Sequence, residues 1–426
     1  MPSRFAVTDL AAASVGAVAA SLANLMETIG LVGAAPPTSV DRLLASLWFA
    51  QSIHPIGWEL PPLWDSIAGV YEGKDGWIRL HTNLPHHRDA VLRALDVAGD
   101  REAVRDAVGR WETGVLETAI VGEGGVAAAM RSMEDWAVHP QGKAVAAEPL
   151  ISWSKNSDAA VRDWPATRSR PLAGLRVLDL TRVLAGPVAT RTLAGFGAEV
   201  LRVDPPGWEE PNVVPDITLG KRCSRLDLRN RSDLEVFREL LAGADVLVHG
   251  YRPGALDGLG LGEAERQELA PALVDVCLDA YGWTGPWAGR RGFDSLVQMS
   301  CGIAHAGMAW AEKDVPTPLP VQALDHATGY LIAASVLRAL DLAAQGQGVR
   351  SARLSLARTA SLLMQYAQEQ AGTLSKVPDP RDFADRPEQT PWGPAHRLKP
   401  PIAIAGTPMH WDRPAAELGS SAPVWS

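Results

Sequence analysis

One carboxylate stands out in this 426-residue sequence: Asp325, in LDHATGY, at the start of the apolar run YLIAASVLRALDLAA. The N–H groups that open a helix keep a carboxylate ionised and can later stabilise a developing oxyanion. An Asp at that place is also an ordinary helix cap, worth about 1 kcal/mol, and residue type alone leaves the cap as the simpler reading. His326 follows it, and an imidazole changes charge near neutral pH. The formal charge of -9 disfavours nucleic-acid binding, which draws on many Lys and Arg contacts to phosphate. An anionic ligand would therefore have to meet local cations, and Arg202, Lys221, Arg252 and Arg291 all fall at or beyond predicted strand ends. His81, His86 and His87 form HxxxxHH with no carboxylate or cysteine at a metal-ligand spacing, which reads as a solvated loop and predicts no metal site. Cys223, Cys277 and Cys301 match no metal or redox spacing and suit a reducing cytoplasm.

These groups need elements to hold them, and the clearest begin at Pro171. PLAGLRVLDL reads as a strand running into a turn at Ala185-Gly186-Pro187, and VATRTLAGFGA as a helix with Pro in its first turn and glycine at its end. EVLRV, DVLVH and LVDVCL are further strands, with helical segments between them. The alternation predicts an α/β fold with an open parallel sheet, whose ligands sit beyond the carboxyl ends of the strands. The loops after Leu180, Val203, His249 and Asp279 are then the candidates. TRVLAGP stands where GxGxxG would mark a dinucleotide fold, which disfavours a nicotinamide enzyme.

Residues 1–165 read as a separate, smaller unit with a helical opening, a Pro- and Trp-rich stretch and the strand-like DGWIRLHTN. Ala11 to Met26 is apolar but judged too short to span a bilayer, so a buried helix is expected and no membrane association. SWSKNSDAAVRDWPATRSRP has the charge and prolines of a linker. Residues 171–363 form the α/β core. Residues 364–426 read as an extended arm, because closely spaced prolines remove backbone donors. A length of 426 residues and 46% hydrophobic composition suit two domains with sizeable cores.

Taken in order, PLAGLRVLDLTRVLAGPVATRTLAGFGAEVLRVDPPG, GKRCSRLDL, HGYRPGALDGLGLG, YGWTGPWAGRRGFDSLVQ and LDHATGY resemble the family III CoA-transferases, the carnitine dehydratase and bile-acid-inducible group. DGWIRLHT and EDWAVHPQGKAV resemble the family's small-domain portion, here placed before the core instead of after it, as in a rearranged or truncated layout. The resemblance implies that Asp325 attacks an acyl-CoA thioester, forming a mixed anhydride and then an aspartyl-CoA thioester that passes CoA to a carboxylic acid. It implies CoA as a substrate moiety rather than a resident cofactor, Arg202, Lys221, Tyr251, Arg252 and Arg291 as its ligands, and an interlocked homodimer. Leu184 and Gly250 stand where relatives with formyl specificity and many others carry Gln and Asn, so formyl or oxalyl transfer is not implied. The racemase branch of the family needs His before the Asp of GxD, whereas this chain has Phe293-Asp294; only His326 could replace that base. Asp294 is a second acid or a cap. A CoA-ester-binding subunit of reduced activity is the alternative function. His139 reads as a structural turn residue, and Trp283 and Trp287 as walls of an acyl pocket or as loop core.

Overall fold

A computed structural model of the chain describes residues 1–367 and 377–426. Its centre is a seven-stranded sheet of β1 (Ser152–Ser157), β2 (Arg176–Leu180), β3 (Glu199–Asp204), β4 (Lys221–Arg225), β5 (Val246–His249), β6 (Val274–Asp279) and β7 (Val349–Ser355). The spatial order is β1-β7-β6-β5-β2-β3-β4, parallel throughout except for antiparallel β1 at one edge. Strands covered on both faces need apolar side chains on both. Val177 and Val246 accordingly enter one core while Leu178 and Leu247 enter the other. From β2 the chain moves outward through β3 and β4, then returns to place β5 on the other side of β2. The order therefore reverses between β2 and β5, which opens a crevice at their carboxyl ends.

Helices α1 (Val7–Thr28), α2 (Pro85–Leu95), α3 (Ala185–Ala194), α4 (Asp294–Ser300) and α5 (Ala323–Ala344) build the surroundings of that crevice. Helix α5 is buried almost all round, because it is enclosed by α1, α3 and the sheet. Both α1 and α5, at 22 residues each, are long and apolar enough by length and composition to cross a membrane; here they pack on each other in one core. The run read as too short to span is thus part of a longer helix, and its buried side chains make it a core element.

The residue 1–165 unit is corrected by this arrangement. The sheet of Gly69–Glu72, Trp77–Leu80 and Ala127–Ala129 carries its own core of Tyr71, Ile78, Leu80, Val91 and Val104, so the compact α+β unit spans only about residues 67–129. Helix α1 belongs to the main core, as do Trp136 and Val145. The segment read as a linker supplies β1, whose backbone groups pair with β7. In the C-terminal arm, Gly393–Arg397 pairs with Ile53–Pro55 and Ile402–Ile404 with Thr38–Val40, so its described residues are tied to their own chain. Residues 368–376 of that arm lie outside the described residues.

Candidate active site

Asp325 is the third residue of α5, whose entry residue, Gln322, supplies no side-chain cap. The cap comes from the neighbouring α4: Asp294 Oδ2 accepts the N–H groups of Leu324 at 2.8 Å and Asp325 at 3.0 Å, and Gln298 donates to Oδ1. Asp294 thereby satisfies donors that a helix leaves orphaned in its first turn. The capping role that residue type suggested for Asp325 belongs to Asp294. No side chain among the described residues hydrogen-bonds the Asp325 carboxylate. Burial pushes its pKa well above the ordinary value, and the charge of Asp294 pushes it further the same way. Asp294 is itself raised by burial, against the opposing pull of its N–H donors.

Asp325 lines two cavities. The first, about 460 Å³, is the crevice at the strand ends, bordered by Thr181 to Ala185 after β2, Trp208 beyond β3, Gly250 to Pro253 after β5, and Asp279, Ala280 and Gly289 to Phe293 after β6. All four predicted loops meet there. The second, about 400 Å³, runs between Pro61 to Asp65, Val183, Leu184, Pro211 to Val213 and the start of α4. Val183 borders both and holds φ at +64°, a strained conformation for a β-branched residue, with its N–H donated to Glu210 Oε1 at 2.7 Å.

The cations divide into two groups. Tyr251, Arg252 and Arg291 border the first cavity as the sequence suggests. Among the described residues, the exposed Arg252 has no ion-pair partner and Arg291 donates only to Gly124 O at 3.2 Å. Arg202 and Lys221 are placed elsewhere, and neither lines either cavity beside Asp325. Arg202 lies inside β3, fully buried, paired with Asp204 at 2.7 Å and Glu210 at 2.8 Å. Lys221 begins β4, at the end of the strand opposite the crevice, and donates to Asp179 at 2.9 Å and Pro187 O at 3.0 Å. A strand-end prediction cannot tell the ligand end of a strand from the other end, nor a charge facing solvent from one committed to a buried pair.

Other groups in the crevice escaped the sequence reading. Arg182 lies 4.4 Å from the Trp208 ring and 5.1 Å from that of Tyr251, and donates to the Tyr251 hydroxyl at 2.8 Å. Its position directly after β2, at the switch point, is the signal that would have found it. Arg290 is held by Glu117 at 2.8 Å and lies 4.0 Å from the Trp287 ring. Asp279 ends β6 with its Oδ2 buried and unpaired, and burial raises its pKa to about 7.

The histidines are not on a solvated loop. His81 is buried, stacked on Phe293 at 3.9 Å, with burial holding its pKa near 3, and it lines the second cavity. His87 is buried at the start of α2 with both ring nitrogens unpaired and lines the first. No group of three or more His, Cys, Asp or Glu fit to hold a metal ion exists among the described residues. His326, the proposed substitute base for a racemase, stacks on Phe49 at 5.1 Å and borders a further cavity, while burial lowers its pKa to about 3. Trp283 and Trp287 line neither cavity next to Asp325; Trp287 is enclosed by Arg290, His139 and Tyr281. His139 accepts the Gln141 N–H at 3.1 Å, an N-cap contact and so a structural one.

Fold and site together define an α/β protein with a desolvated carboxylate at the junction of two cavities, beside the switch point of a parallel sheet. The chain belongs to CoA-transferase family III, whose model matches residues 172–422 and so takes in the C-terminal arm beyond the span of the sequence resemblance. It is 34% identical over 184 residues to human succinyl-CoA:glutarate CoA-transferase, covering 40% of this chain and 42% of that one. It is likewise 34% identical over 186 residues to the probable fatty acyl-CoA transferase Rv3272 of Mycobacterium tuberculosis, covering 40% and 47%. The crystal structure of Rv3272 in its orthorhombic form aligns with 46% of this chain and 57% of that one, at 32% identity and a TM-score of 0.43. The chain spans about half the length, or less, of the curated relatives it matches.

Proposed function

We propose that the chain is a CoA-transferase that moves CoA from an acyl-CoA thioester to a carboxylic acid through Asp325. The observation that carries this reading is the Asp325 carboxylate itself, unpaired by any described side chain and bordering both cavities. In the proposed cycle Asp325 attacks the thioester carbonyl and expels CoA thiolate, leaving a mixed anhydride. The thiolate then attacks the Asp325 carbonyl, releasing the donor acid and forming aspartyl-CoA. The acceptor carboxylate repeats the two steps in reverse, and Asp325 is regenerated. An aspartate suits this exchange because it is chemically equivalent to the donor and acceptor acids.

Burial and Asp294 make the Asp325 carboxylate more basic, and a more basic, less hydrated carboxylate is the stronger nucleophile once ionised. Arg252 and Arg291, with Tyr251, are the proposed contacts of the CoA phosphates and their neighbourhood, and Arg182 and His87 join them. CoA is a substrate moiety in this proposal, not a resident cofactor. A cytoplasmic homodimer is part of it; the three free, buried cysteines are compatible with a reducing compartment.

Incubation with a panel of acyl-CoAs, followed by hydroxylamine and mass spectrometry, tests the proposal. A hydroxamate on Asp325, absent from Asp325→Asn, is expected. Retained CoA binding with no adduct from any donor would replace the transferase by the CoA-ester-binding subunit, a reading motivated by the small-domain-like stretch standing before the core.

A further inference from the structure

We infer that the second cavity beside Asp325 takes an uncharged apolar acyl group, so that the acid substrate is a monocarboxylate and a dicarboxylate is rejected. The inference rests on the transferase reading and names the substrate class of the same site. Pro61, Leu63, Trp64, Leu184, Val213 and Phe293 supply its apolar wall. Its charged lining is of one sign: Asp65, Glu209, Glu210, Asp294 and Asp325, with no Lys or Arg. The cations that pair the outer three, Arg88, Arg225 and Arg202, stand outside the lining, and the last is fully buried. His81, the remaining titratable group, is stacked on Phe293 and offers no positive charge at neutral pH.

A second carboxylate held in this cavity would lose its water among carboxylates and find no counter-ion in the lining. An apolar chain meets the opposite situation. Pro61, Leu63, Trp64, Leu184 and Val213 also line an adjacent cavity of about 450 Å³ bordered by Phe49 and Leu319. Arg79 is the guanidinium among the residues lining that adjacent cavity; it lies 4.5 Å from the Trp64 ring and feels the charge of Asp294.

Rates of CoA transfer from one acyl-CoA donor to butyrate and succinate, and to hexanoate and adipate, decide the matter, since each pair differs only in the terminal carboxylate. The monocarboxylate should be preferred about 100-fold in kcat/KM at both lengths. Asn212→Arg, which brings a cation to the cavity wall, should raise the use of succinate relative to butyrate about tenfold. Use of either dicarboxylate within about threefold of its partner would overturn the inference. So would an Asp325 adduct that no acid of the panel discharges. Absence of any adduct from any acyl-CoA would instead remove the transferase reading, and this one with it. The wild-type comparison stands even where the variant fails to fold.

Discussion

Asp325 and Asp294 divide two roles that residue type alone assigns to one aspartate. Asp294 satisfies the N–H groups at the start of α5, and the Asp325 carboxylate is left without a described side-chain partner. The arrangement costs stability, since burial and the neighbouring carboxylate both favour the protonated form of Asp325. That cost is absent below the ordinary Asp value and grows as pH rises. Asp325→Asn should therefore abolish transfer while stabilising the fold by about 1 kcal/mol near pH 8, and by less near pH 4, as read from thermal melts at the two pH values. Asp294→Asn keeps an acceptor for the helix N–H groups but removes the charge. The pKa of Asp325 should fall, and the acid limb of the kcat/KM profile should move to lower pH; an unmoved limb would mean that Asp294 acts only as a cap. Asp325 itself was legible in the sequence, because its motif survives as a contiguous string. The role of Asp294 was not, because the bond that defines it joins residues from different helices.

At the scale of elements, the LDHATGY motif has a packing reason as well as a chemical one. Helix α5 crosses the start of α3 so closely that a Cβ on Gly329 would fall 2.4 Å from Ala185 O and 2.9 Å from Val188 Cβ, while Thr328 Oγ1 meets Thr359 Oγ1 at 2.8 Å. Gly329→Ala should push α5 away from the crevice, costing roughly 1–3 kcal/mol in denaturant unfolding and lowering kcat/KM beyond the loss of folded protein. The strand–helix alternation after Pro171 and the four loops at the strand ends were readable from periodicity. The destinations of Arg202 and Lys221 were not: a buried ion pair and a surface cation look the same in one dimension, and only the partners Asp204, Glu210 and Asp179 distinguish them.

Across the whole molecule, distant parts of the chain close around one buried polar cluster. Asp216 receives Arg191 at 2.6 Å from α3, Arg397 at 3.0 Å from the C-terminal arm, and the Ser52 hydroxyl from the N-terminal segment; Arg397 also meets Glu388 at 2.7 Å. Burial alone would raise the Asp216 pKa, but the two guanidiniums and Ser52 hold it below the ordinary value. Its contribution to stability is therefore present at neutral pH and is lost as pH falls below about 4. Asp216→Ala leaves Arg191 without its counter-ion and Arg397 with Glu388 alone, and should cost roughly 3–5 kcal/mol by chemical denaturation at pH 7; a loss under about 1 kcal/mol would show that the arm does not depend on this cluster. Trp411 of the arm, stacked on Trp48 at 5.4 Å and donating to Arg191 O at 2.8 Å, reinforces the same closure.

The sequence by itself determined the α/β class, the loops that surround the crevice, Asp325 as the residue of interest and the family to which the chain belongs. Each is carried by local periodicity or by a contiguous string of residues. Only the tertiary structure decided that β1 comes from the segment read as a linker, that α1 and the arm join the main body, and that the second cavity is lined by carboxylates without cations. Those properties arise where residues hundreds of positions apart, such as Ser52, Asp216 and Arg397, share one small buried volume. There the hydrogen-bond partner and the loss of water, rather than residue type, set what each group does.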